Sequence, residues 1–260
     1  MDIPIQTWTQ LQEALFAESW SGSMARFRSN FVFRGVPRAS HSLDSSLQTG
    51  GFVAYEKHLL TSFRKYALRS PVHGDWVWNW LSLAKHHGLP TRLLDWSYSP
   101  YVALHFATHD HHDFEEDGAI WCVDYRQTNE MLPRAMRKIL EAEDANIFTT
   151  EMLNDVATTL EKFDALGHDD FVAFFEPPSL DERIVNQFAL FSLPSSAKIS
   201  LEQLLKKREA TYRRIIIPAS LKWEIRDKLD QANITERVLF PGLDGLSQWL
   251  KRYFTTRGTG

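Results

Sequence analysis

An α+β fold is predicted by three features of the 260-residue chain. Short apolar runs of strand length are interspersed with stretches of helical spacing. No regular strand–helix–strand rhythm joins them, which disfavours a doubly wound sheet. No repeat, low-complexity segment or Gly/Ser/Pro-rich linker divides the chain, so residues 1–260 read as a single domain.

The elements follow in order. Residues 7–18 read as an amphipathic helix with Trp8, Leu11, Ala14 and Leu15 on one face. Phe31-Val32-Phe33-Arg34-Gly35 reads as a short strand that ends in a turn, because Gly35 and Pro37 punctuate it. A helix is expected over 53–69. The next begins with Asp75 as a carboxylate cap and ends at Gly88. Its Trp76, Trp80 and Leu83 have helical spacing, which makes them core positions and leaves Trp78 as the exposed tryptophan. Ser99-Pro100 starts a further helix, with a capping hydroxyl followed by proline in the first turn. Asp117-Gly118 turns into a strand from Ala119 to Val123. Residues 126–172 carry a charged helical pattern and are expected to be a peripheral insertion. Strands are predicted at Phe171–Phe175, Leu190–Leu193 and Tyr212–Ile217, and helices over 180–189, 219–232 and 242–254.

Composition narrows the function classes. The chain is 43% apolar, and its nine Trp and 17 Phe predict an aromatic core or pocket. The net charge of −4 demands neither a nucleic-acid nor a membrane partner. The basic runs Lys206-Lys207-Arg208 and Arg213-Arg214 read as solvated faces. With Cys122 alone, no disulfide can form within the chain and cysteine-based zinc binding is disfavoured. The opening MDIPIQTWTQ lacks the basic start and apolar stretch of a secretory leader, and no window is long enough to span a bilayer. A cytoplasmic location is expected.

One segment carries more chemistry than a connecting loop needs: His86-His87-Gly88-Leu89-Pro90-Thr91-Arg92-Leu93-Leu94-Asp95-Trp96-Ser97. It lies between two helix ends, and a helix N-terminus offers unpaired N–H groups. Arg92 and Arg34 are forked donors suited to phosphate or carboxylate, and Trp96 is a surface for stacking on a planar ring. The plain alternative is an Arg92–Asp95 pair closing a turn over a core Trp96.

Phe33-Arg34-Gly35, then Leu43 to Leu47, then HHGLPTRLLDWSYSPYVALHFA resembles the FRG domain over about 28–125. Thinner matches follow over 180–254, at Arg183-Ile184-x-x-Gln187-x-x-x-Phe191, at the Ile215-Ile216-Ile217-Pro218 run and at Leu239-Phe240-Pro241-Gly242-Leu243. Where family members often carry Gln-His-Tyr, this chain has Lys85-His86-His87. The order of these motifs is similar to that of ADP-ribosyltransferases. The resemblance implies a central, mostly antiparallel split sheet and NAD as co-substrate. It implies catalytic positions at Arg34, at Thr91 or Ser97, and at Gln187 or Glu182, with Asp95 or Glu182 able to supply a charge that Gln187 lacks. It implies NAD contacts from Arg34, Gly35, His86, Thr91, Arg92, Trp96 and Ser97. The acceptor would be a nucleic-acid base or a protein side chain, and a toxin or antiviral role would suit such a protein. The alternatives are a non-catalytic nucleotide- or nucleic-acid-binding module, and an interaction domain presenting Trp76, Trp78 and Trp80.

Other signals point to no site. His105, His109 and His112 share a helical face but lack a His-Glu-x-x-His pattern, so no metal is expected. His41, Ser42 and Asp44 have no nucleophile-elbow glycines around them. Neither a P-loop nor a Gly-x-Gly-x-x-Gly occurs, which disfavours ATP hydrolysis and Rossmann-type dehydrogenation.

Overall fold

The structure, a computed structural model, describes residues 2–67, 74–179 and 181–257. Nine strands form in the described residues: β1 (Asp2–Pro4), β2 (Trp20–Ser21), β3 (Arg26–Phe27), β4 (Phe31–Val36), β5 (Leu94–Ser97), β6 (Gly118–Asp124), β7 (Val172–Phe175), β8 (Ala189–Pro194) and β9 (Tyr212–Ile217). Seven build one sheet in the order β1-β9-β6-β4-β5-β8-β7, and β2 and β3 form a separate hairpin. Only β1 and β9 pair in parallel; every other neighbour is antiparallel. The mixed α and β content and the mostly antiparallel sheet agree with the expected class.

The pairing within the sheet is uneven. Six residue pairs join β4 to β6 and six join β6 to β9. A single pair, Phe33 with Ser97, joins β4 to β5. Beyond that pair the two strands diverge and leave a notch in the middle of the sheet.

Helices cover both faces. Strand β6 is buried along its whole length, as a central strand covered on both sides must be. Helices Trp8–Phe16, Pro100–Ala107 and Lys222–Gln231 pack Leu11, Leu15, Leu104 and Ile225 against Phe33, Ile120, Cys122 and Ile215. On the opposite face Val32, Leu94, Trp96 and Trp121 meet Phe174 and Leu204. Each large apolar side chain fully removed from water there is worth about 1.5–3 kcal/mol before entropy is counted.

The helix Pro100–Ala107 is capped as expected, with Ser99 Oγ accepting from the Val102 amide and proline in the first turn. It crosses strand β4 at Gly35. A methyl group placed on Gly35 would lie 1.8 Å from the Ala103 carbonyl oxygen, so only glycine permits this approach.

Several expectations change. Asp75 does not cap its helix; that helix runs Val77–His86 with Trp76 at its N-cap. Asp75 instead accepts from Arg64 Nη2 and Trp80 Nε1, both at 2.7 Å. Trp78 is fully buried and donates to the Ala157 carbonyl at 2.8 Å, while Trp76 and Trp80 are partly exposed. Helical spacing located the stripe but misplaced its inner edge. The expected helix over 53–69 is a short 3-10 turn, Val53–Tyr55, followed by Glu56–Tyr66. Its last two expected residues lie outside the described residues, as does the first of 180–189. Residues 126–172 are helical but not peripheral. Met136, Leu140, Phe148, Leu153 and Phe163 are buried with Trp78, Leu81 and Leu93 in one apolar cluster. No helix of the described residues is long and apolar enough to cross a membrane.

Candidate functional site

The notch between β4 and β5 opens into a cavity of about 490 Å³, within the usual range for small-molecule sites. Phe33 to Pro37 line one side and Asp95 to Ser97 the other. Val102, Ala103 and Phe106 supply apolar wall from the crossing helix. Arg183, Gln187 and Ala189 close a further side, and His41, Ser42, Thr49 and His109 complete the lining.

Arg34 spans the notch. Its Nη1 donates to the Asp95 carbonyl oxygen at 2.7 Å, where a backbone ladder would otherwise continue. The same nitrogen lies 3.9 Å from the Asp95 carboxylate. Arg34 Nε is buried without a hydrogen-bond partner among the described residues, so the guanidinium keeps unused donor capacity. Burial works against its charge, and neighbouring Asp95 only partly restores it, so its pKa lies below the ordinary arginine value.

Asp95 is the one carboxylate on the cavity wall among the described residues. Lys85 Nζ, from the last turn of Val77–His86, pairs with it at 2.7 Å. The Asp95 side chain is 52% exposed and faces the open cavity. Desolvation pushes its pKa up, yet Lys85 and Arg34 outweigh that and hold it below the usual carboxylate range. Arg183 adds a second guanidinium, stacked 4.9 Å over the Phe240 ring and without a carboxylate partner among the described residues. The two guanidiniums, Arg34 and Arg183, therefore outnumber the single acid on the wall.

Not every expected residue reaches this site. Arg92 is 3% exposed and pairs with neither Asp95 nor the cavity. Its Nε and Nη2 donate to Glu56 at 2.7 and 2.5 Å, and its Nη1 to Asp164 at 2.5 Å. Burial opposes its charge, but these two carboxylates keep it firmly protonated. Arg92 thus ties the insertion to the Glu56–Tyr66 helix, a structural task. Thr91 is buried away from the cavity, its Oγ1 accepting from the Leu93 amide. Trp96 borders the cavity, but its ring is buried edge-on against Phe174 and its Nε1 donates to Ser192 Oγ at 2.9 Å. It has no free face for stacking. His86 Nε2 lies 2.6 Å from Asp181, outside the lining; burial holds its pKa below the ordinary value despite that carboxylate. Glu182 is exposed and does not line the cavity.

Ser97 and Gln187 do line it, with Ser97 Oγ and Gln187 Nε2 each holding a hydrogen bond within the protein. Ser97 Oγ donates to the Gln187 carbonyl at 2.7 Å and accepts from the Ser99 amide. Gln187 is not on an exposed helix face; it is 8% exposed at the end of Glu182–Asn186, and its Nε2 donates to the Leu239 carbonyl.

The sequence drew no attention to Lys85, Arg183 or Phe106 as site residues, and His41, Ser42 and His109 were set aside as parts of other chemistries. Lys85 was visible only as a departure from the family pattern. Its value appears once a helix end is seen to face Asp95. His109 Nδ1 lies 2.8 Å from the Phe106 carbonyl. A carbonyl can only accept, so Nδ1 carries the proton and Nε2 is left as an acceptor. His105, one turn earlier, is buried against Arg226 Nη1 at 3.0 Å. Cys122 is buried in the sheet, its thiol pushed up to about 12 by desolvation, which suits an inert core residue.

Residues 29–116 match the model of the FRG domain, and that stretch contains β4, Lys85, β5 and the crossing helix. No curated protein and no solved structure matches the chain.

Proposed function

We propose that the notch cavity binds NAD and transfers its ADP-ribose to an acceptor. The observation that carries this reading is the pairing of Arg34, with its unused buried Nε–H, and Asp95, the charged carboxylate beside it. A pyrophosphate suits Arg34, a forked donor over an apolar floor. A carboxylate held in its charged form suits the positive ribose that develops as nicotinamide leaves. The notch at the single Phe33–Ser97 pair supports the split sheet of an ADP-ribosyltransferase-like fold.

In the proposed reaction the bond from ribose C1′ to the nicotinamide nitrogen breaks, and its electron pair leaves with nicotinamide. The acceptor's nucleophilic atom then bonds to C1′ and gives up a proton. His109 Nε2 is available to take it. Asp95 acts by charge, since a carboxylate with a depressed pKa is a poor base. Arg34 and Asp95 act together, so removing either affects both.

The test is nicotinamide release and label transfer from adenylate-labelled NAD, with separate DNA, RNA and protein pools. Wild type should release nicotinamide and label one pool. Arg34→Ala and Asp95→Asn should each lose at least about 100-fold, the scale of one missing transition-state charge contact. Folded wild-type protein that releases no nicotinamide would defeat the reading. A second reading, a nucleotide-binding module without turnover, is favoured by the neutral Gln187, whose Nε2 donates to the Leu239 carbonyl. Calorimetric binding of NAD without nicotinamide release would select it.

A further inference from the structure

Phe188 lies between two cavity residues, Gln187 and Ala189, yet its ring is not part of the wall. The side chain is 61% exposed, and Val185, one turn earlier, is 55% exposed. Together they make an apolar ledge on the rim. The Phe188 ring makes no ring–ring contact with the other described residues. Exposure of a lone aromatic is ordinary. Its backbone is not: φ is +47°, a left-handed conformation that costs a side chain with a Cβ about 1–3 kcal/mol.

The Phe188 amide donates to the Val185 carbonyl at 3.0 Å, and three further hydrogen bonds hold the residue there. Ser97 Oγ donates to the Gln187 carbonyl, the Tyr98 amide donates to the Phe188 carbonyl at 3.2 Å, and Gln187 Nε2 donates to the Leu239 carbonyl at 2.9 Å. Two of these donors come from β5 or the residue after it, the segment that carries Asp95. The strained residue is thus fixed relative to the charged centre, and its ring is turned outward, without a ring–ring contact among the described residues.

Resting on the NAD reading, we propose that Phe188 is the stacking platform for the acceptor, and that the acceptor is an unpaired nucleobase. The ring stands outside the cavity that would hold NAD, which is the place for the second substrate. A flat, exposed aromatic ring stacks on any base, and Arg183 on the adjoining wall offers a partner for the backbone phosphate.

The test measures anisotropy of a fluorescent single-stranded 12-mer, as RNA and as DNA, with wild type and the variants Phe188→Ala, Phe188→Gly and Phe188→Trp. NAD affinity is measured by calorimetry on the same proteins. Phe188→Ala and Phe188→Gly should lose about 5- to 100-fold in oligonucleotide affinity, while Phe188→Trp keeps it. NAD affinity should stay within about twofold in all. The glycine variant should melt no lower than wild type, and up to roughly 4 °C higher, because glycine adopts a positive φ freely. A ring that served only packing would lower Tm in both small variants. Unchanged oligonucleotide affinity in Phe188→Ala overturns the proposal. So does NAD affinity that falls in parallel, or label transfer to the protein pool alone. Wild type that binds the oligonucleotide through Phe188 but does not bind NAD would overturn the NAD reading and leave the nucleobase platform standing.

Discussion

Arg34 donates to the backbone oxygen of Asp95, not to its carboxylate, at 2.7 Å. The guanidinium therefore bridges two diverging strands while the carboxylate faces the cavity. Lys85 takes the carboxylate instead, at 2.7 Å. Arg34 reaches the strand backbone and Lys85 the carboxylate, and this separation makes the two cations testable one at a time.

Lys85→Met should raise the Asp95 pKa, because the mutation removes the largest charge that holds it down. The depressed pKa means that Asp95 is charged above its folded value and loses its charge as pH falls through it. In the variant this loss should begin at higher pH. Titration of the Asp95 side-chain carboxyl carbon by NMR would show it, and the acid limb of nicotinamide release should move the same way. An unmoved titration would mean that Arg34 alone sets the charge.

Arg92 is predicted to act on stability and not on ligand affinity. Arg92→Met leaves the Glu56 and Asp164 carboxylates facing each other without a cation. Breaking such a buried set costs about 3–5 kcal/mol, which lowers Tm by roughly 10 °C in a chain of this size. Adding Glu56→Gln should recover part of the loss. NAD affinity of the folded variant, measured well below its Tm, should stay within about twofold. A large loss of affinity with an unchanged Tm would restore Arg92 to the binding site.

The contrast between Arg92 and Arg34 shows where the sequence was readable. Apolar spacing was enough for the helix at Trp8–Phe16, and Ser99-Pro100 for the start of the crossing helix, since these signals are local. Strand β5 is only four residues long and contains an aspartate, so no alternation marks it. The same is true of β1, which is three residues long and ends in proline. The fate of a guanidinium is not local at all. Arg92 finds Glu56 36 positions away and Asp164 72 positions away, while Arg34 meets Asp95 at a separation of 61. Nothing in the neighbourhood of either arginine indicates which one is neutralised in the core. Arg183 and His109 joined the cavity through the same long-range folding.

Gly35→Ala tests whether the tripeptide glycine serves the fold. The added methyl would lie 1.8 Å from the Ala103 carbonyl, a contact that requires movement of the helix or the strand. Overpacking of this kind costs about 1–3 kcal/mol, and a backbone clash belongs at or above the upper end. Tm should fall by roughly 6–12 °C. Because the crossing helix carries Val102, Ala103 and Phe106 on the cavity wall, NAD affinity should fall as well. An alanine variant with wild-type Tm would show that the helix and strand sit farther apart than described.

His105 gives the fold a pH dependence whose sign can be worked out. Its Nδ1 lies 3.0 Å from Arg226 Nη1; a guanidinium only donates, so this nitrogen must be unprotonated. Burial first, then the charges of Arg226, His109 and Arg252, push its pKa well below the ordinary value. An unfolded histidine titrates near about 6.5. Between the two values the unfolded chain binds more protons than the folded one, so stability rises with pH across that window. The contribution is complete above about pH 6.5 and is lost as pH falls below it. His86, also held low chiefly by burial, acts in the same direction. Wild type should therefore melt at nearly constant temperature from about pH 7 to 8 and lose roughly 3–5 °C per pH unit between about 6.5 and 5, where carboxylates are still charged. His105→Gln supplies a carbonyl acceptor to Arg226 that does not titrate. Its melting temperature should be lower at pH 7.5 but should fall less steeply below 6.5. Parallel slopes in the two proteins would show that proton uptake at His105 does not drive the acid loss.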